Sequence, residues 1–149
     1  MLTFEEVSEK EVPKELLLEA DPSEENIKKY LSGSRCFCVL FETKIVGVCV
    51  VKRNSSNSFE IFNIAVLPEK QKQGFGTKLL EFVIKKMAES GENKIVLGTG
   101  TFGYQLKFYQ RLGFRVESVW KNYFVDNYDE PIFEDGLQLK DMLRLSLVL

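Results

Sequence analysis

Residues 71–76 read Gln71-Lys72-Gln73-Gly74-Phe75-Gly76, after the apolar run that ends at Leu67-Pro68 and before the helical pattern that opens at Thr77-Lys78. A strand, a polar loop and a helix start in that order suit anion binding. The first N–H groups of a helix lack intrahelical acceptors, and the aligned peptide dipoles place about half a positive charge there. Gly74 and Gly76 remove Cβ atoms where a ligand must approach the main chain, and they tolerate positive φ. A diphosphate-bearing cofactor is the first expectation. Proton chemistry is narrowed by an absence: the chain has no histidine. That removes His-based triads and nearly all zinc sites, and leaves proton transfer to carboxylates, Tyr, Lys or water. No metal is expected.

A second glycine pattern competes with the first. Gly98-Thr99-Gly100-Thr101-Phe102-Gly103 spells G-x-G-x-x-G after a strand-like run, with Glu117 further on where a ribose-binding acid would lie. On its own this suggests NAD. Alternating β and α units on both sides would be needed, and hairpin-linked strands precede the site instead. The other reading is a Gly-rich turn that lets two elements pass closely. A Walker loop is excluded, because Tyr104 rather than Lys follows Gly103.

The elements that must position these residues follow from periodicity and punctuation. A strand is expected at 2–7 and helical material after it, with Asp21 capping a helix that has Pro22 at its first position, Glu24 at its third, and Ser32-Gly33 as its stop. Runs 35–41, 45–53 and 58–67 read as strands joined by short polar turns, which implies antiparallel pairing. After the anion-type loop, Leu79, Leu80, Val83, Ile84 and Met87 share one side of a helix that ends at Ser90-Gly91. A buried strand at 94–97, a short helix at 104–112, and strands at 114–120 and 142–149 complete the pattern, with an acidic segment at 126–135 between the last two. The fold class is α/β with a mixed, mostly antiparallel sheet.

Composition bounds the function. With 149 residues and 44% hydrophobic content, one domain spanning 1–149 is expected. A net charge of −2 argues against a nucleic-acid surface. No membrane span or signal peptide is read, so a cytoplasmic protein is expected. Cys36, Cys38 and Cys49 read as reduced thiols packed in strands, because an odd count without secretory context argues against a disulfide framework. The apolar run 142–149 could pair with its counterpart in a homodimer.

With the strand-loop-helix unit at 59–90 and the later segment Phe108-Tyr109-Gln110-Arg111-Leu112-Gly113-Phe114, the chain resembles the GNAT superfamily of acyl-CoA-dependent N-acetyltransferases over about residues 35–120. Gln71 to Gly76 fits that family's Q/R-x-x-G-x-G/A signature, and Tyr109 fits its usual acid position. The resemblance implies a single domain whose sheet splays between its fourth and fifth strands, with acetyl-CoA as co-substrate and an amine as acceptor. It implies that main-chain groups of Lys72, Gln73, Gly74, Phe75, Gly76 and Thr77 hold the diphosphate, with Gln71 opening the loop. Ala65 and Val66 would pair with the pantetheine arm, and an N–H near Ile64 would polarise the acetyl carbonyl. Lys70, Lys72 and Lys78 would either add charge near the phosphates or simply solubilise the surface.

An alkylammonium has no lone pair at neutral pH, so the acceptor needs a base. Glu60, in a strand among apolar neighbours, is the candidate, acting directly or through water; the alternative is a carboxylate bonded to a neighbouring side chain. Tyr109 is the candidate acid for the departing thiolate, against a plain buried tyrosine. The family's usual Asn after the fifth strand is missing, and Thr99 or Thr101 would have to replace it. A small-molecule primary amine is the expected acceptor, with the acids and aromatics of 122–139 either bracketing it or forming a solvated loop. The alternatives are a non-catalytic acetyl-CoA sensor, a protein N-acetyltransferase acting on a Lys or N-terminal amine, and an NAD-dependent oxidoreductase.

Overall fold

Short polar turns make consecutive strands fold back on one another. The computed structural model, which describes every residue from Met1 to Leu149, pairs β1 (Leu2–Val7), β2 (Arg35–Phe41), β3 (Lys44–Arg53) and β4 (Phe59–Val66) antiparallel. Glu42 and Thr43, at φ 51° and 72°, make the primed type of turn whose twist matches its flanking strands. α1 (Lys14–Ala20) and α2 (Glu24–Leu31) fill the connection from β1 to β2, and α3 (Phe75–Glu89) carries the chain from β4 to β5 (Lys94–Gly100). α4 (Tyr104–Arg111), β6 (Arg115–Trp120), α5 (Tyr123–Asn127), the hairpin β7 (Phe133–Glu134) and β8 (Leu137–Gln138), and β9 (Met142–Val148) follow.

The main sheet runs β1-β2-β3-β4-β5-β9-β6. Its single parallel contact joins β4 to β5, and only Phe59 to Ile61 pair there, with Ile95 to Leu97. Beyond Ile61 the two strands part, which is the expected splay. β9 has partners on both sides, β5 and β6. The pairing of 142–149 across a dimer is therefore corrected: that strand has no free edge, and the open edges belong to β1 and β6.

Two apolar clusters hold the layers together. On one face Phe75, Leu79, Leu80, Val83 and Met87 of α3 pack on Phe37, Val39, Cys49, Val51 and Ile61; each such side chain contributes about 1.5–3 kcal/mol on burial. On the other, Leu16, Leu17, Ile27 and Tyr30 of α1 and α2 pack on Cys36, Val48, Val50 and Ala65. All three cysteines are free and buried. A bulge in β4 sets which residues face which layer: Val50 pairs with Asn63 and Val51 with Ile61, leaving Phe62 extra. Phe59, Ile61, Ile64 and Val66 accordingly join the α3 cluster, and Phe62 and Ala65 the α1–α2 cluster.

The cap of α2 is also corrected. Ser23, not Asp21, caps it, its Oγ accepting from Asn26 N–H at 3.1 Å. Asp21 instead turns inward. No helix is long and apolar enough to cross a membrane.

Candidate active site

The splay between β4 and β5 separates two cavities. One, of about 400 Å³, lies between β4 and the start of α3 and is lined by Ile64, Ala65, Val66, Gln71, Lys72, Gly74, Gly76 and Thr77, with Phe108 and Tyr109 of α4 opposite. The other, of about 810 Å³, lies under α5 and the β7–β8 hairpin. Ala20, Ile64, Gln105 and Tyr109 line both.

The loop leading into the first cavity has the conformation of an anion nest. Lys72 has φ 62° and Gly74 φ 85°, an arrangement that turns successive N–H groups to one side. Gly74 caps α3 with no side-chain hydrogen bond, so the first N–H groups of that helix lack a protein acceptor. A Cβ on Gly74 would meet nothing within 4 Å, and one on Gly76 would meet Val66 and Phe108 only at ordinary contact distance. Conformation explains Gly74; at Gly76 the protein itself has room for a side chain, which leaves a ligand at the main chain as the reason for glycine. The residues present thus fit a diphosphate.

The side chains of the loop have other work. Gln71 Nε2 donates to Val66 O at 2.9 Å and Gln73 Nε2 to Glu69 O at 3.1 Å, bracing the loop. Phe75 is buried against Phe41. Gln73, Phe75 and Lys78 do not line the cavity, whereas Lys70 and Lys72 do.

Antiparallel alternation decides which backbone groups of β4 are free. Leu67 N–H donates to Val46 O, so Ala65 and Asn63 direct their polar groups toward β3, while Ile64 and Val66 direct theirs into the gap left by β5. Ala65 lines the cavity by its side, and the main chain of Ile64 and the N–H of Val66, whose carbonyl already accepts from Gln71, face an extended ligand.

Tyr109 is 7% exposed at the junction of the cavities. Burial first, then the neighbouring Cys49 and Tyr104, hold its phenol far above the ordinary value, so it stays protonated. Glu60 lies in the second cavity, and its surroundings differ from the apolar ones expected. Arg144 Nη1 and Nη2 donate to its two oxygens at 3.0 and 2.8 Å, and Asn54 Nδ2 donates to Oε1 at 3.0 Å. Gly98 makes this possible: it stands opposite Arg144 in the β5–β9 register, and a Cβ there would come within 2.8 Å of Arg144 Nη1. The guanidinium crosses β5 over that glycine to reach β4, and it stacks on Trp120 at 4.0 Å. Gly100 similarly makes room for Leu139. The first half of the G-x-G-x-x-G run, Gly98 to Gly100, is therefore the end of β5, and its glycines let side chains pass.

Sequence reasoning missed several lining residues. Thr99 faces the second cavity and Thr101 neither, so the polar residue of this region that reaches both cavities is Gln105. Its place one residue into α4 was the available signal. Arg144 carried none, being a lone cation in an apolar run. Of the segment 122–139, Tyr123, Phe124, Tyr128 and Glu134 line the second cavity, whereas Asp126, Asp129, Glu130 and Asp135 do not.

Comparison with known proteins fits this geometry. Residues 4–114 match the Acetyltransferase (GNAT) family. The chain is 40% identical over 134 residues, covering 89% of it and 86% of the relative, to YvbK of Bacillus subtilis, described as an uncharacterized N-acetyltransferase. It superposes with a TM-score of 0.94 and 35% identity, over 100% of both chains, on an IAA acetyltransferase from Bacillus cereus. A GNAT family acetyltransferase from Elizabethkingia anophelis with acetyl-CoA bound gives a TM-score of 0.93 and 39% identity, over 99% of this chain and 98% of that one. The chain belongs to the GNAT family of N-acetyltransferases.

Proposed function

We propose that the protein transfers the acetyl group of acetyl-CoA to the primary amine of a small-molecule acceptor by direct attack in a ternary complex. The observation that carries this reading is the meeting of the two cavities at Ala20, Ile64, Gln105 and Tyr109. A donor in the loop-side cavity and an acceptor in the other would face each other there without a covalent enzyme intermediate.

Acetyl-CoA supplies an acetyl thioester: once the ammonium has given up one proton, the amine lone pair forms the C–N bond as the C–S bond breaks, so a second proton must then leave nitrogen and one must reach sulfur. The amides of Lys72 to Thr77 hold the diphosphate, and the Ile64 and Val66 main chain aligns the pantetheine arm. An N–H at Ile64 stabilises charge on the carbonyl oxygen. Tyr109, kept neutral by burial, gives its proton to the departing thiolate. Glu60 accepts the amine proton through water: of about four lone-pair sites on a carboxylate, Arg144 and Asn54 occupy three, which leaves one on Oε2. A small acceptor suits the roof of the second cavity, which Tyr128 ties to Asp21 by a 3.1 Å hydrogen bond; a folded protein's lysine would have to reach under it.

Free thiol release from acetyl-CoA over a panel of small amines and peptides tests the assignment. Tyr109→Phe should lower kcat by about 10²-fold, the lower end of general-acid effects, with the Kd for acetyl-CoA little changed. Unchanged turnover at every pH would remove Tyr109 from the mechanism, and turnover on peptides alone would remove the small acceptor.

A further inference from the structure

Asp21 is a carboxylate of the acceptor cavity that has only neutral partners. It is 7% exposed. Its Oδ2 accepts from the Tyr30 hydroxyl at 2.9 Å, and its Oδ1 from Ser23 N–H at 3.0 Å and from the Tyr128 hydroxyl at 3.1 Å. None of the ion pairs in the structure includes it. A buried charge without a counter-ion is costly, and hydroxyl donors offset only part of that cost. Glu60, in the same cavity, has Arg144.

An unsatisfied group lies on the other side of Tyr30. Asn63 is 4% exposed and lines the same cavity. Its Nδ2 donates to Leu17 O at 2.9 Å and to the Tyr30 hydroxyl at 3.0 Å, while its Oδ1 is buried with no partner. Leu17 O can only accept, so the orientation of the amide is fixed. The Tyr30 hydroxyl thus links the two residues, accepting from Asn63 Nδ2 and donating to Asp21 Oδ2, and leaves Asn63 Oδ1 unpaired. What Asp21 lacks is a positive charge beside it, and one lone-pair site on Oδ2 has no donor.

The wall also carries the cations Lys29, Lys52, Arg53 and Arg144, and the part of it nearest Tyr30 and Tyr128 is aromatic. Tyr30 and Phe62 stack at 5.3 Å between ring centroids, and Phe124 lies 5.5 Å from Tyr123 and 6.1 Å from Tyr128. Such rings present negative faces to a cation and flat surfaces to another ring. Ala20, next to Asp21 in the chain, lines the donor cavity as well, so a cation at Asp21 would sit close to the junction.

We propose that the acceptor cavity selects an arylalkylamine bound as its ammonium, the cation recognised by Asp21, and the aromatic body held among Phe62, Tyr123 and Phe124. The inference rests on the acetyl-transfer reading and narrows its acceptor. It makes Asp21 a specificity residue for that site.

Calorimetry on the CoA-loaded protein at pH 7 tests it with 2-phenylethylamine and its uncharged analogue 2-phenylethanol. The amine should bind at least tenfold more tightly than the alcohol, and Asp21→Asn should bring the two within about threefold of each other. Phe124→Ala should weaken 2-phenylethylamine at least fivefold and leave butylamine, which has no ring, within twofold. Equal binding of amine and alcohol to the wild type, no binding of the amine, or an undiminished preference in the Asp21 variant would each overturn the inference. If Asp21→Asn does not fold, the wild-type comparison and Phe124→Ala decide alone. CoA affinity, measured first, separates the two levels: failure to bind CoA overturns the acetyl-transfer reading, whereas normal CoA binding without amine preference overturns only the acceptor class.

Discussion

Arg144→Met isolates the charge that holds Glu60 in place. Both partners are buried, with side-chain exposures of 9% and 11%, and the Nη2–Oε1 distance is 2.8 Å. Methionine keeps most of the side-chain volume and removes the guanidinium, so the variant leaves Glu60 with Asn54 as its remaining donor. Breaking a buried pair from one side costs about 3–5 kcal/mol, because the surviving charge has lost its partner. Unfolding entropy of about 2.1 cal/mol/K per residue gives about 0.3 kcal/mol/K for a chain of 149 residues. The melting temperature should therefore fall by about 10–16 °C. Glu60→Gln combined with Arg144→Met removes both charges and should recover all but about 1–2 kcal/mol of that loss. Thermal melts followed by circular dichroism, with urea titrations of the same four proteins, give the cycle. A single variant within about 2 °C of wild type, or a double variant no more stable than Arg144→Met, would refute the view that an ionised pair occupies this site.

Three further outcomes follow from the same structure. Gly98→Ala places a Cβ 2.8 Å from Arg144 Nη1 and closer still to the Met142 side chain; it should lower stability in the same melts by about 1–3 kcal/mol, and Arg144→Met should relieve only part of that loss, because the Met142 contact remains. Gly74→Ala forces a side chain into φ 85°, a strain of about 1–2 kcal/mol, so calorimetry should show acetyl-CoA affinity or stability reduced by about tenfold or the equivalent, while unchanged values in both would contradict the loop assignment. Burial raises the phenols of Tyr30, Tyr109 and Tyr128 above their ordinary value of 10.0. For a group whose folded value is raised, the stabilisation is complete below the unfolded value and declines as pH rises past it; stability should thus fall above about pH 10, and absorbance at the phenolate band should show these tyrosines ionising only as the protein unfolds.

How much the sequence disclosed depended on whether a signal was local. Hairpin turns, the α3 stripe and the glycine loop are written in consecutive residues, and their elements lie within a residue or two of where periodicity puts them. β9 was misjudged as a free edge because its neighbours are chosen by long-range pairing: nothing in Met142–Val148 says that it inserts between β5 and β6. Glu60 shows the same limit. The carboxylate was visible, but Arg144 arrives from 84 positions away across a glycine. Asp21 had two plausible fates, since Asp21 and Ser23 can each cap a helix at Pro22-Ser23-Glu24, and only packing against Tyr30 and Tyr128 decides between them. The register-shifting Phe62 is equally silent in sequence, yet it determines which side chains of β4 face the acceptor.

A crystal structure of the protein with acetyl-CoA bears most directly on the central claim. The account predicts diphosphate oxygens within hydrogen-bonding distance of main-chain nitrogens between Lys72 and Thr77, with the thioester beside Ile64 and the Tyr109 hydroxyl. Acetyl-CoA bound elsewhere, with those nitrogens turned to solvent, would contradict it.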